Sequence, residues 1–330
     1  MSTITLRPFL GPSDYQTITD LINAGFAAAE FPAVESLGET ENTFAHLENC
    51  DPVRDVRIAE DDAGNPLGYA RLYWIDDQEG LRRYQLTLSV GLEAERGGVT
   101  AALLEWAITH TRARMSENPT ERPTVLQAWV TNEAKPAERM ALLNANGFEP
   151  VRYGYFMVRD LNEPIEIPDL PAGLYVRPVT PEDDRPIFDA LHEAFRDHWG
   201  YAPPPDFDSD FDEWRSWPLR NPDLYQVAFA RNGDGQEQVA GMVLNFIAEE
   251  DNRVFGLNRG WADPICVRRP WRKQGVARGL IMRSLRLLAD RGLTEAALGV
   301  DTQNPNGALQ LYESCGFRAN MRSVTMRKTM

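Results

Sequence analysis

Cysteine is scarce. Cys50, Cys266 and Cys315 are the only three in 330 residues, far apart and odd in number. No CxxC pair occurs, so neither a zinc knuckle nor a disulfide framework is indicated, and the thiols read as reduced. Positive charge is also short. Lys and Arg total 34 against 49 Asp and Glu, a net charge of −15. That balance argues against a nucleic-acid binder, which needs a basic face, and against docking on anionic lipid. It is compatible with a cationic small-molecule partner. No run of about 18 apolar residues exists to cross a membrane. The segment Met1–Leu10 has no basic stretch followed by an apolar core, so no signal peptide is expected and the location reads as cytoplasmic. HExxH, GxSxG, the GxxxxGK[ST] phosphate loop and the GxGxxG dinucleotide loop are all missing.

What the chain does have is ordinary globular composition, 43% hydrophobic and 25% charged, at a length that suggests two domains. It also has an internal repeat. Thr5-Leu6-Arg7-Pro8-Phe9 is echoed by Tyr175-Val176-Arg177-Pro178-Val179, and Gly147-Phe148 by Gly316-Phe317. The offsets, 170 and 169 residues, agree at both ends of the repeat. A duplicated domain of about 160 residues follows, a comfortable single-domain size. The boundaries predicted are 1–160, a proline-rich acidic linker over 161–173, and 174–330.

Within the second half, Tyr225–Ala230 and Val239–Ile247 alternate as strands around an Asn-Gly-Asp-Gly turn. Ala262–Val267 and Ala296–Val300 read as further strands. Ala277–Ala289 carries apolar residues at helical spacing and stops at Gly292. Asn304-Pro305 reads as a helix start, with Asn as N-cap, and Ala308, Leu311, Tyr312 and Cys315 as its apolar stripe. Strands and helices alternate only in part, which predicts an α+β fold with a mixed sheet in each half.

Arg272-Lys273-Gln274-Gly275-Val276-Ala277 follows a strand and opens a helix. Small residues at 275 and 277 let a ligand approach the backbone. The free N–H groups of the helix start then face an anion, helped by the dipole and by the two cations. Such a loop suits a pyrophosphate. Its pattern, Q/R-x-x-G-x-G/A, resembles the acetyl-CoA signature of the GCN5-related N-acetyltransferases, the GNAT family. The stretch Asp301-Thr-Gln-Asn-Pro-Asn-Gly-Ala-Leu-Gln-Leu-Tyr-Glu-Ser-Cys-Gly-Phe317 resembles that family's second motif. The duplication is similar to the mycothiol synthase type.

The resemblance implies acetyl-CoA as co-substrate, no metal, and roles for the matching residues. Backbone groups of Ile265, Cys266 and Val267 would pair with the pantetheine arm. Arg272, Lys273, Gln274, Gly275, Val276 and Ala277 would hold the pyrophosphate. Asn304 would contact the arm, and Tyr312 would protonate the departing thiolate, as a phenol that stays protonated at neutral pH is able to do. Asn304 also fits a plain N-cap, and Tyr312 a plain core aromatic. Asp263, Glu249 and Glu250 are candidates for the base that frees the attacking amine, with Asp263 the nearest in sequence. Cys266 reads as a buried thiol rather than a nucleophile.

The first half departs from this pattern. Glu95, a charge that repels phosphate, stands where Arg272 does, Thr100, which crowds the helix start, where Ala277 does, and Leu143 where Tyr312 does, so that half is expected not to catalyse, with a weakened CoA site as the alternative. The 199–214 segment, with Asp206, Asp208, Asp210, Asp212 and Glu213 among Trp199, Tyr201 and Trp214, would either grip a cationic amine or form a solvated acidic loop. The function expected is acetyl transfer from acetyl-CoA to a primary amine of a small molecule, by direct attack in a ternary complex. The alternative is a catalytically silent acyl-CoA-binding or assembly module. Neither nucleic acid nor membrane is an expected partner, and the chain is expected to be a monomer or homodimer.

Overall fold

In the computed structural model, which describes residues 3–330, the chain forms two units. One holds the residues up to Tyr153 together with Arg322–Met330, the other Gly154–Met321. The first runs β1 (Thr5–Pro8), α1 (Tyr15–Ala28), α2 (Leu37–Ala45), α3 (Pro52–Asp55), β2 (Val56–Glu60), β3 (Pro66–Asp76), β4 (Arg82–Val90), α4 (Leu92–Arg96), α5 (Val99–Glu117), β5 (Thr124–Val130) and α6 (Ala137–Ala145). The next strand, β6 (Glu149–Asp160), carries the chain into the second unit. That unit continues with β7 (Leu174–Val176), α7 (Asp184–Phe195), α8 (Phe207–Ser216), β8 (Gln226–Arg231), β9 (Glu237–Phe246), α9 (Glu249–Phe255), β10 (Arg259–Val267), α10 (Val276–Asp290), β11 (Glu295–Asp301) and α11 (Ala308–Ser314). The last strand is β12 (Arg318–Thr329).

Each unit has the mixed α+β sheet expected. In the first, β1, β2, β3 and β4 are antiparallel in order, β4 and β5 parallel, and β12 closes the sheet antiparallel to β5. In the second, β7, β8, β9 and β10 repeat the antiparallel run, β10 and β11 are parallel, and β6 lies antiparallel to β11 from Gly154 to Asp160. The repeat in sequence is therefore a repeat in topology. The units nevertheless do not end where the sequence halves do. The linker expected at 161–173 is not a free tether, because Leu161 and Ile165 are buried in the core of the second unit. Their apolar side chains, not the neighbouring prolines, decide where the segment lies.

The repeated Arg-Pro anchor has a structural cause. Arg7 donates to both carboxylate oxygens of Asp14, at 2.8 and 2.9 Å, and to Glu60 at 2.6 Å. Arg177 does the same to Asp183, at 2.7 and 2.8 Å, and to Glu237 at 2.7 Å. Each fork ties the end of β1, or the residue just after β7, to the start of the following helix, in the bidentate geometry that makes such pairs strong. In the second unit α10 packs Val276, Leu280 and Leu285 on one sheet face against Val243, Ala262 and Leu298. On the other face α7 packs Ile187, Ala190 and Ala194 against Val227, Met242 and Cys266.

Candidate functional site

The site of the second unit begins with a split in its sheet. β10 and β11 pair only from Arg259 to Trp261 with Glu295 to Ala297, and then diverge. β10 stays paired with β9 on its other side, Ile265 opposite Val243 and Val267 opposite Gly241. Among the described residues, the Ile265–Val267 edge facing β11 thus has no strand partner, and backbone N–H and C=O groups left this way call for one. One extra residue, at Asp263-Pro264, bulges β10 where the split opens.

At the outer end of the split stands the glycine loop. Gly275 caps α10 in the left-handed region at φ 86° with no side-chain capping bond, so the first N–H groups of a 15-residue helix are open. A Cβ built on Gly275 would meet no described atom within 4 Å. Arg272 is not free to reach outward. It donates to the carbonyls of Val267 and Ala194, at 2.8 and 3.0 Å, and to Asp197. Arg269 and Arg272 together hold the Asp197 carboxyl well below its usual range, the Arg269 hydrogen bond foremost. Arg272 therefore braces the loop on α7. Lys273, exposed and at φ 61°, donates to the Asn306 carbonyl at 2.7 Å. Gln274 is exposed and donates to the Pro270 carbonyl at 2.8 Å.

A cavity of about 310 Å³ joins split and loop. Of the residues singled out in the sequence, Ile265, Cys266, Val267, Arg272, Lys273, Gly275, Val276, Ala277, Asn304 and Tyr312 line it, whereas Gln274 and Asp263 do not. Asn304 is not an N-cap. The helix starts later, at Ala308 behind Gly307 in the left-handed region at φ 75°. The Asn304 side chain instead accepts from the Asn306 N–H at 2.8 Å, closing a turn.

Tyr312 is 7% exposed. Burial, with the Asp263 charge next in size, pushes its phenol well above its ordinary value. Asp263 itself is raised to about 6 by burial, against a hydrogen bond from the Gly299 backbone across the split. Burial pushes the Cys266 thiol up to about 12, which fits a core thiol and not an activated nucleophile. Glu249 and Glu250 lie exposed on α9, the latter ion-paired with Arg253, and neither lines the cavity. Among the lining residues not assigned to the site from sequence are Arg278, Trp271, and His198, whose pKa burial lowers first and Arg272 second. The acidic segment folds as α8, with Asp206 capping it and Asp210 paired with His192 at 3.0 Å.

The first unit has the same split and the same left-handed glycine, Gly98 at φ 88° before α5. Its space is taken. Arg139 on α6 donates to Glu95 at 2.9 Å and to the Val90 carbonyl at the end of β4 at 3.4 Å. Glu95 also accepts from Thr100. The side chains of Glu95 and Arg139 are 2% and 10% exposed. Arg139 precedes Leu143 by the four residues that separate Ala308 from Tyr312. An alanine in one unit leaves open what an arginine in the other fills. Glu95 and Thr100 are thus internal partners, not a repelling charge and a steric block.

Among the described residues no helix is long and apolar enough to cross a membrane, and no group of three or more His, Cys, Asp or Glu is arranged to hold a metal ion. Residues 188–317 match the model of the acetyltransferase (GNAT) family. A mycothiol acetyltransferase of Thermomonospora curvata is 31% identical over 58% of this chain, which spans 60% of that relative's length. Two solved structures share the fold over nearly the whole chain. A GCN5-related N-acetyltransferase from Sphaerobacter thermophilus superposes with TM-score 0.68 at 24% identity, over 99% of this chain and 95% of its own. A tandem GNAT protein from the clavulanic acid biosynthesis pathway superposes with TM-score 0.67 at 17% identity, over 99% and 98%. Residues 188–317 are thus similar to the acetyltransferase (GNAT) family, and the chain shares over nearly its whole length the fold of a tandem GNAT protein.

Proposed function

We propose that the second unit transfers an acetyl group from acetyl-CoA to a primary amine of a small molecule, by direct attack in a ternary complex. The observation that carries this reading is the single cavity that joins the open N-terminus of α10 at Gly275 to the unpaired β10 edge and to Tyr312. The reading assigns the anion site to the pyrophosphate, the strand edge to the pantetheine amides and the proton donor to the thioester of acetyl-CoA. In this reading Gly275, Val276 and Ala277 offer N–H groups to the pyrophosphate, and Arg272, Lys273 and Gln274 hold the loop in shape. Ile265, Cys266 and Val267 pair with the arm through their backbone, and Asn304 contacts it.

Asp263 takes the proton that keeps the amine from attacking. The amine lone pair then attacks the thioester carbonyl, the C–S bond breaks as the Tyr312 proton passes to the sulfur, and the new amide nitrogen gives up its extra proton, which restores the phenol. The relative's name as an acetyltransferase supports acetyl as the group moved. The silent-module alternative gives the open loop acyl-CoA to bind but leaves Tyr312 without a task. A free-thiol assay with acetyl-CoA and a panel of primary amines tests the reading. Amine-dependent thiol release is the expected result. Tight acetyl-CoA binding with no release for any amine would favour the silent module.

A further inference from the structure

Gly299 stands in the middle of β11, with Phe156 of β6 opposite it on one side and the split toward β10 on the other. It is nonetheless exposed. Its φ is not positive, so the backbone does not require glycine there. A Cβ on it would meet, among the described residues, only the Asp263 Oδ2 atom at 3.8 Å. Glycine inside a strand weakens it, and one reason to keep it is that something approaches the backbone closely.

The register shows what surrounds this bare patch. Trp261 pairs with Phe246 on one side and Ala297 on the other, and Gly299 lies two residues beyond Ala297. With side chains alternating, Phe246, Trp261, Gly299 and its partner Phe156 share one face. It is the face away from α10, because Asn245, next to Phe246, points to α10 and donates to Ser284 at 3.0 Å. The rings touch in a row. Trp217 meets Phe246 edge-on at 4.8 Å, Phe246 stacks on Trp261 at 5.6 Å and 5°, and Phe156 meets Trp261 at 5.4 Å. Trp217, Phe246 and Trp261 are half-buried. The row thus ends beside an open floor at Gly299, with a carboxylate, Asp263, at the rim.

We infer that this patch seats the acceptor, and that the acceptor is a primary amine carried beside a flat ring, which lies over Gly299 along the Trp261 side and turns its amine toward Asp263. The inference rests on the acetyl-transfer reading and names the substrate class of that same site. An aromatic wall gains most from a partner that offers a face. A cationic amine next to it gains from both the ring quadrupole and the carboxylate. A side chain at 299 would occupy the seat. A linear amine reaches Asp263 but leaves the wall unused. Two sources share this chemistry, a sugar ring stacking through its C–H face and an aromatic ring.

The test measures kcat/KM by thiol release for glucosamine, for phenethylamine and for the acyclic butylamine, with acetyl-CoA affinity read by calorimetry on each protein. At least one ring amine should exceed butylamine by about tenfold or more, and which one separates sugar from arene. Trp261→Ala should bring the ratio of ring to acyclic amine close to one, while Trp261→Phe keeps most of it. Gly299→Val, a residue well suited to a strand, should cut ring-amine turnover by about a hundredfold with acetyl-CoA still bound. Butylamine used as well as either ring amine overturns the inference. So does a ratio untouched by Trp261→Ala, full ring-amine turnover in Gly299→Val, or refusal of both ring amines by a protein that binds acetyl-CoA. Absence of acetyl-CoA binding would show in the calorimetry alone, and would remove the acetyl-transfer reading and this inference together.

Discussion

At the scale of single residues, Tyr312 and Asp263 carry the chemistry proposed. Tyr312→Phe removes one hydroxyl and keeps the ring that packs with Phe317 at 6.3 Å. Turnover should fall by roughly 10²–10⁴-fold, the range of general acid–base steps. Acetyl-CoA affinity should change little, since the lost contact matters as charge develops on sulfur. Unchanged turnover on the true acceptor would place the proton donor elsewhere. Asp263 makes a pH prediction of fixed sign. Its folded value of about 6 lies above the ordinary carboxyl value of 3.8. The folded state therefore holds the proton more tightly, so this group's contribution to stability is lost as pH rises from about 4 to about 6. As a base it works only when ionised, so kcat/KM should rise with an apparent pKa near 6. Asp263→Asn should abolish that rise and cut turnover, yet raise the melting temperature at pH 7.5 and leave it unchanged at pH 4. A variant that loses activity without gaining stability at pH 7.5 would contradict the buried-carboxyl account.

At the scale of elements, the closed split of the first unit hangs on one ion pair. Arg139→Ala should destabilise the protein by about 3–5 kcal/mol, because it leaves the buried Glu95 charge unpaired. Adding Glu95→Ala should restore much of that loss, since neither charge then remains buried. Chemical denaturation of both variants checks this, and a double variant no more stable than the single one would contradict it. This pair was not legible in the sequence. Glu95 reads as a phosphate-repelling charge and Arg139 as one more polar residue on a helix, and only their separation in space reveals the partnership. The strands and helices around the second site were legible, because alternation and helical spacing are local. The start of α11 was not. Asn304 and Pro305 look like a cap, but the Asn304 side chain is spent on the Asn306 N–H and Gly307 sets the helix start. The bulge at Asp263-Pro264 and the bare floor at Gly299 also leave no local signal, since each depends on what the neighbouring strand does.

At the scale of the whole molecule, duplication was readable from two matched anchors, and the fold follows it through the two Arg-carboxylate forks and the shared strand order. The unit boundaries were less readable. Prolines and acids over 161–173 look like a tether, whereas Leu161 and Ile165 bury themselves in a core. The residues proposed for acetyl-CoA were legible because a glycine at a helix start and a tyrosine on a fixed helix position are sequence-level features. The two units then differ in the respect on which the proposed function rests: one split is open from Gly275 to Tyr312, and the other is filled by Arg139 and Glu95. Calorimetric titration with acetyl-CoA tests this most directly. The account predicts one site per chain, lost in Gly275→Val, whose side chain would enter the open space at a left-handed position. A stoichiometry near two, or full binding in the Gly275→Val protein, would contradict it.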